Sequence, residues 1–282
     1  NQLLSEMVYR VAQAVERHVF GSGAVLETAF PTGIPAPDNV NDDVDNLRTR
    51  FWLATSVHRD PNNYAYYGDR HGQFFGLWRH SDSEAELRLR TTGAGPRTIY
   101  RFSGIDGSLR APIQEARVFE PRERPWFQAG QRTARHTWTA VYIDFKTEEL
   151  VATRARRVNN AKGEFQGVVA TDLSLQHVND FLRSLKLSAN GLAYVVETDG
   201  NLIGTSRGPH LRQDAAGGNA RLNVEASDDP LVVASYREIV KLLHASNHGS
   251  QPRTAVFETA DRQPVEAAYA HIQDAAGLDW II

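Results

Sequence analysis

The chain has 282 residues, 41% of them hydrophobic and 23% charged, with a formal net charge of −3. That length buries one large core or two smaller ones, and the scattered Lys and Arg offer nucleic acid no basic surface, so no nucleic-acid partner is expected. Cysteine is absent, which excludes disulfides, thiolate metal sites and a cysteine nucleophile.

In chain order, Leu4, Met7, Val8, Val11, Val15 and Val19 recur at helical spacing. They predict an amphipathic helix over 3–19, ended by Gly21 and Gly23. Phe30 to Asp38 is rich in Pro and Gly and reads as a loop. Asn41 and Asp42 suit the cap of a second helix that runs toward His58, with Leu47, Phe51 and Ala54 on its apolar face. Tyr64 to Tyr67 and Gln73 to Trp78 predict the strands of a hairpin, joined by the turn residues Gly68 to Gly72. The polar run 81–96 reads as an exposed excursion. A strand over Thr98 to Phe102 follows, then a turn at Gly104 and Gly107. His58, His71 and His80 fall at a helix end, a turn and a strand end, without the convergent spacing of a metal site, so no metal is expected.

The stretch from Phe119 to Asp172 gathers the chemistry. Pro125 is placed for the first turn of a short helix over Trp126 to Gln131, which aims Arg124 and Trp126 toward one cleft. Trp138 to Asp144 reads as a strand or extended loop, and Tyr142 and Asp144 share a face if it is a strand. Strands over Leu150 to Val158 and Phe165 to Thr171 follow, joined by a turn at 159–163. Asp172 then stands either as the N-cap of the next helix or as a ligand-facing carboxylate. A guanidinium grips a carboxylate through paired charge-assisted hydrogen bonds, a carboxylate accepts from an ammonium, and aromatic faces between them favour a cation. Such a set suits a small zwitterion or amine. The bland alternatives are an Arg124 paired with Glu123 or Asp144, a Trp126 that anchors its helix in the core, and an Asp144 in a solvated turn.

Leu175, Val178, Phe181, Leu182 and Leu185 form one stripe of a helix over 173–185. Runs over 192–197 and 201–205 flank Thr198-Asp199-Gly200, a strong hairpin signal. The hairpin near 64–78 is thus echoed near 192–205, which points to two related α/β modules. The segment 207–223 reads as loop. Asp228-Asp229-Pro230 opens a helix over 231–244, 247–250 reads as a turn, and runs over 255–258, 265–271 and 280–282 complete an antiparallel sheet.

RERPWF, WTAVYIDF and GEFQGVVATDLSL, with YAYYGDRHGQFFG, GLAYVVETDGNLIGTS and GLDWII around them, resemble in order the motifs of the double Cache family of bacterial extracytoplasmic sensor domains. The resemblance implies an α/β fold of two PAS-like antiparallel-sheet modules with a long N-terminal helix. It divides the chain into a helix and connection over 1–39, a membrane-distal ligand-binding module over 40–185 and a membrane-proximal module over 186–282. In double Cache domains that resemble amino-acid sensors, Arg124 and Trp126 would hold a ligand carboxylate, and Tyr142, Asp144 and Asp172 would surround an ammonium. Phe119 and Phe127 stand where that pattern has tyrosines, so two hydroxyls are missing; the implied ligand is an amino acid, an amine or a small carboxylate.

The resemblance also implies a periplasmic domain of an inner-membrane receptor, with transmembrane helices on both sides of this chain, a homodimer, and a histidine kinase, diguanylate cyclase or chemoreceptor output. The start at Asn1 and the end in an apolar run agree with a segment of a longer protein. A solute-binding protein without signalling output is the second reading. Gly204-Thr205-Ser206-Arg207-Gly208 fits the GxSxG nucleophile elbow and supplies a third, a Ser206-dependent hydrolase. That motif needs a strand, a sharp turn and a helix, and the polar run after it does not look helical. No catalytic residue and no cofactor are expected, since neither a P-loop nor a strand-linked GxGxxG occurs.

Overall fold

The computed structural model describes residues 1–144, 146–245 and 249–282. Helix α1 spans Gln2–Ala29. It does not stop at Gly21 and Gly23, as the sequence pattern predicts, but runs on to bury Val25, Leu26 and Ala29. The two glycines serve close packing. A Cβ on Gly21 would overlap the His58 imidazole, and one on Gly23 would come within 3.2 Å of the Arg154 guanidinium. Pro31, which cannot continue a helix, follows the last turn. Asn39 caps a short turn over Val40–Asp42, and helix α2 follows over Val44–Val57 with Leu47, Phe51 and Ala54 buried.

Strands β1 (Tyr64–Asp69) and β2 (Phe74–Arg79) form the expected hairpin. The run 81–96 is not an exposed excursion. Its centre is strand β3 (Glu84–Arg90), buried from Ala85 onward. Ala85, Leu87 and Leu89 enter the core on one face, while Glu86, Arg88 and Arg90 alternate onto the other and are buried there. Charges paired inside a protein look in sequence like charges facing water, which is why this strand reads as a loop. Strand β4 (Pro96–Ser103) pairs with β3, and β5 (Ile113–Val118) forms the sheet edge.

Helix α3 (Pro125–Gln131) comes next, with Pro125 in its first turn. Strands β6 (Thr137–Trp138), β7 (Tyr142–Ile143), β8 (Leu150–Asn159) and β9 (Phe165–Ser174) follow. Asp172 therefore lies inside β9. It is not a helix cap, because α4 (Gln176–Ser184) starts later, with Leu175 at its N-cap. Strands β10 (Tyr194–Glu197) and β11 (Leu202–Thr205) make the second hairpin around Gly200. The segment 207–223 is not all loop, for it holds the small hairpin β12 (Leu211–Gln213) and β13 (Asn219–Arg221). Helix α5 (Pro230–His244) begins at Asp229, whose side chain accepts from the Leu231 N–H. Strands β14 (Arg253–Glu258) and β15 (Pro264–Tyr269) pair with each other, and β16 (His271–Gln273) and β17 (Asp279–Ile281) join β10. The turn expected at 247–250 falls partly, with His248, outside the described residues.

The chain divides into two compact units. One comprises 19–141 and 152–174, the other 1–18, 142–151 and 175–282. In the first, the sheet runs β5-β4-β3-β2-β1-β9-β8-β6. One face packs Phe75, Leu77, Leu87 and Phe102 against Phe30 and Phe51. Burying a side chain of this size stabilises by about 1.5–3 kcal/mol. The other face carries Tyr64, Tyr66, Phe74, Val168 and Ala170 beneath Phe119, Trp126 and Phe127. In the second unit the sheet order is β11-β10-β17-β16, and Val196, Leu202, Val232, Tyr236 and Ile281 form the core. Burial pushes the Tyr194 phenol of this core up to about 12, and its hydroxyl shares a 2.8 Å hydrogen bond with Ser235.

Candidate ligand-binding site

The second face of the larger sheet is built by the period-two alternation of its strands. Tyr64 pairs with Trp78 and Trp78 with Glu86; Tyr66 pairs with Gly76 and Gly76 with Arg88. Gly76 leaves the space that the Tyr64 ring occupies, since a Cβ there would lie 2.7 Å from the Tyr64 hydroxyl. The rings form a platform, with Tyr64 to Tyr66 at 4.7 Å between centroids and Tyr64 to Trp78 at 5.7 Å. Gly68 does the same for the segment that covers this face, because a Cβ there would be 2.9 Å from Trp126 Cη2 and 3.0 Å from Pro121 Cβ. Trp126 meets Tyr66 edge-on at 4.8 Å.

One side of the platform is acidic. The Tyr66 hydroxyl donates to Asp172 Oδ1 at 2.7 Å and the Thr153 hydroxyl donates to the same oxygen at 2.9 Å. The other side is basic. Arg88 is only 9% exposed. Its Nε–H donates to Glu86 at 2.8 Å, and its guanidinium stands 4.7 Å from the Trp78 ring centre and 5.3 Å from that of Tyr64. Arg97 holds Glu115 through two bonds of 2.8 Å and lies 3.8 Å over Phe119. Arg124 is 4.9 Å from the same ring. Burial raises the Tyr64 phenol above its usual range, against the pull of Arg97 and Arg88. At the rim, Arg122 foremost, with help from Arg90, holds the Glu120 carboxyl down at about 2.

Phe119, Trp126 and Phe127 thus share one aromatic cluster with Tyr66, whose hydroxyl binds Asp172. Arg124 is exposed at the N-cap of α3. Tyr142 and Asp144 belong to the segment 142–151 of the other unit. Tyr142 pairs with Val151 there. Asp144 accepts from the Lys146 and Thr147 N–H groups at 3.2 and 2.9 Å and so closes a turn. The sequence reading missed Tyr66, Trp78, Arg88, Arg97 and Thr153. The alternation of Tyr64 with Tyr66, and of Glu86 with Arg88, was the available signal.

The family profile described as methyl-accepting chemotaxis protein-like, first PDC sensor domain, matches residues 98–180. The fold is similar along the whole chain to two solved structures. One is the ligand-binding domain of the Campylobacter jejuni chemoreceptor Tlp3 in complex with 4-methylisoleucine, with a TM-score of 0.55, 12% identity and coverage of 100% of this chain and 88% of that one. The other is the ligand-binding domain of the Pseudomonas aeruginosa amino-acid chemoreceptor PctC in complex with GABA, with a TM-score of 0.54, 17% identity and coverage of 99% and 96%. The chain has the double Cache fold.

Two curated relatives of this chain are chemotaxis proteins. PctB of Pseudomonas aeruginosa is 32% identical over 127 residues, 44% of this chain and 20% of PctB. McpG of Pseudomonas putida is 30% identical over 108 residues, 38% of this chain and 16% of McpG. The match therefore spans a fifth or less of either relative. The GxSxG motif does not have the strand–turn–helix geometry of a nucleophile elbow. Ser206 Oγ accepts from the Ala193 N–H at 2.9 Å, and Gly208 leads toward β12 rather than a helix. His210 binds Glu149 at 3.1 Å. No helix among the described residues is long and apolar enough to cross a membrane.

Proposed function

We propose that this double Cache domain is the periplasmic sensor of a bacterial transmembrane chemoreceptor, and that it binds an amino acid or a related amine or small carboxylate. The ligand-binding module would be 40–185, with 1–39 and 186–282 linking it to flanking membrane helices in a homodimer. The observation that carries this reading is the Asp172 carboxylate, oriented by Tyr66 and Thr153 at one side of an aromatic platform whose other side holds guanidiniums. An ammonium at Asp172 would gain a cation–π contact of about 0.5–2 kcal/mol from the neighbouring rings, and Arg124 would take the ligand carboxylate. The complexes of PctC with GABA and of Tlp3 with 4-methylisoleucine support an amino-acid class. The chemotaxis relatives favour a chemoreceptor output over a histidine kinase or a diguanylate cyclase.

Phe119 and Phe127 withhold the two hydroxyls of the amino-acid pattern, a loss of about 1 kcal/mol each. The roles proposed for Tyr142 and Asp144 at the ammonium rest on the family pattern, and Tyr142→Phe and Asp144→Asn test them separately. The deciding experiment is a thermal-shift screen of the domain against amino acids, amines and carboxylates. A ligand at about 100-fold its Kd stabilises by about 2.7 kcal/mol, which is readily seen. The expected result is an amino-acid or amine hit abolished by Asp172→Asn and weakened by Arg124→Ala. A hit indifferent to both changes would remove the site from this face.

A further inference from the structure

On the basic side of the platform, three guanidiniums (Arg88, Arg97 and Arg124) face two carboxylates, Glu86 and Glu115. The two ion pairs differ in kind. Arg97 gives both Nε–H and Nη2–H to Glu115, a closed fork. Arg88 gives Glu86 only its Nε–H. A guanidinium has five N–H donors in a fixed fork. The terminal amino groups of Arg88 are held against Trp78 and Tyr64 rather than used up by a carboxylate. Burial opposes the charge of Arg88, but Tyr64 and Glu86 outweigh it and the guanidinium is held above its ordinary range. It is a rigid, permanently charged donor on the same face as Asp172.

The spacing is also defined. Arg88, Gly76, Tyr66 and Ala170 lie in one row across β3, β2, β1 and β9. Asp172 is two residues further along β9, on the same face. Three strand spacings separate β3 from β9, about 14 Å between backbones. The long Arg88 side chain closes part of that span from one side and Asp172 from the other. The Tyr64 ring lies over Gly76 and, with Tyr66, floors the span between the two charged groups.

We infer that Arg88 is a specificity-determining residue that receives a second anionic group of the ligand, so that the favoured ligand is an amino acid with a side-chain carboxylate. This rests on the zwitterion reading above. Asp172 takes the ammonium, Arg124 the α-carboxylate, and the terminal edge of Arg88 the distal carboxylate in a charge-assisted fork. Glu86 holds the guanidinium edge-on and partly offsets its charge, which sets the strength of the preference.

Calorimetry of the domain with L-glutamate, its longer homologue 2-aminoadipate, L-glutamine and L-leucine tests the assignment. One of the two acidic ligands should bind at least about tenfold more tightly than glutamine, the scale of a charged hydrogen bond. Arg88→Gln should bring that ligand to the level of glutamine and leave glutamine unchanged. Glu86→Gln should act in the opposite direction and tighten the acidic ligand alone, a gain that a folding defect does not produce. Glutamine or leucine binding as tightly as both acidic ligands, or an Arg88→Gln variant that weakens every ligand alike, overturns the assignment. If Asp172→Asn abolishes binding while the acidic preference is absent, only the Arg88 inference fails. If no ligand binds, or Asp172→Asn changes nothing, the zwitterion reading fails and takes this one with it.

Discussion

The Tyr66 hydroxyl donates a 2.7 Å hydrogen bond to the carboxylate of Asp172, joining residues 106 positions apart in sequence. The bond fixes the carboxylate over the platform without neutralising it, and the Thr153 hydroxyl does the same from β8. Tyr66→Phe keeps the ring and its contact with Trp126 and removes only the donor. The expected outcome is an affinity for amine-bearing ligands lower by about 1 kcal/mol, roughly fivefold, with the fold retained. Calorimetry beside Asp172→Asn, which should lose binding altogether, checks it. A Tyr66→Phe variant as inert as Asp172→Asn would mean that the hydroxyl itself meets the ligand.

Gly76 makes a second, steric prediction. A Cβ at this position would lie 2.7 Å from the Tyr64 hydroxyl and 2.9 Å from Phe74 Cε1. Gly76→Ala must push the Tyr64 ring off the strand, and overpacking of this kind costs about 1–3 kcal/mol. The displaced ring moves away from Arg97 and Arg88, so ligand affinity should fall with stability. Adding Tyr64→Phe should restore much of the stability, since it deletes the clashing oxygen. Urea unfolding of the single and double variants reads this directly.

The hairpins, α3 and the aromatic residues around Arg124 were legible because local rules govern them: turn residues between alternating runs, and a proline in a first helical turn. Strand β3 was not. Glu86, Arg88 and Arg90 carry charges that a single sequence assigns to solvent, and the pairing of Arg88 with Glu86 and of Arg90 with Glu120 makes burial affordable. The basic half of the candidate site was hidden for the same reason. Asp172 shows a related failure. A cap and a mid-strand carboxylate look alike until Tyr66 and Thr153 are brought to it from β1 and β8. The end of α1 was misread because Gly21 and Gly23 answer to His58 and Arg154, not to the local helix signal.

That last pair gives a test by double-mutant cycle. In an exposed helix, Gly→Ala stabilises by about 1 kcal/mol. At Gly21 the new methyl would overlap the His58 ring, so Gly21→Ala should instead destabilise the domain. In a His58→Ala background the ring is gone and Gly21→Ala should recover its helix-propensity gain. The two measurements should thus differ in sign, and equal effects in both backgrounds would show that His58 does not set the glycine.

Glu120 supplies the pH dependence. Arg122 foremost, with the Arg122 N–H and the Arg90 guanidinium, lowers its carboxyl from the usual 4.5 to about 2. A carboxyl whose folded pKa lies below its unfolded one binds more protons unfolded than folded between those two values. Its stabilisation is therefore complete above pH 4.5, declines as the pH falls, and is gone below about 2. Arg122 is 43% exposed, so solvent screens the pair and the contribution is about 1 kcal/mol rather than the full value of the shift. Glu120→Gln removes the charge and one of the two accepting oxygens, and keeps the other for the Arg122 N–H. Urea unfolding should show the variant less stable than the parent by this amount at about pH 7, less so at about pH 4, and equal to it near the folded pKa. About 1 M salt at neutral pH should shrink the difference as well, because a half-exposed pair is screened within a few ångströms. A gap that stays constant from neutral to acid pH would assign the loss to packing of the Glu120 side chain instead of its charge.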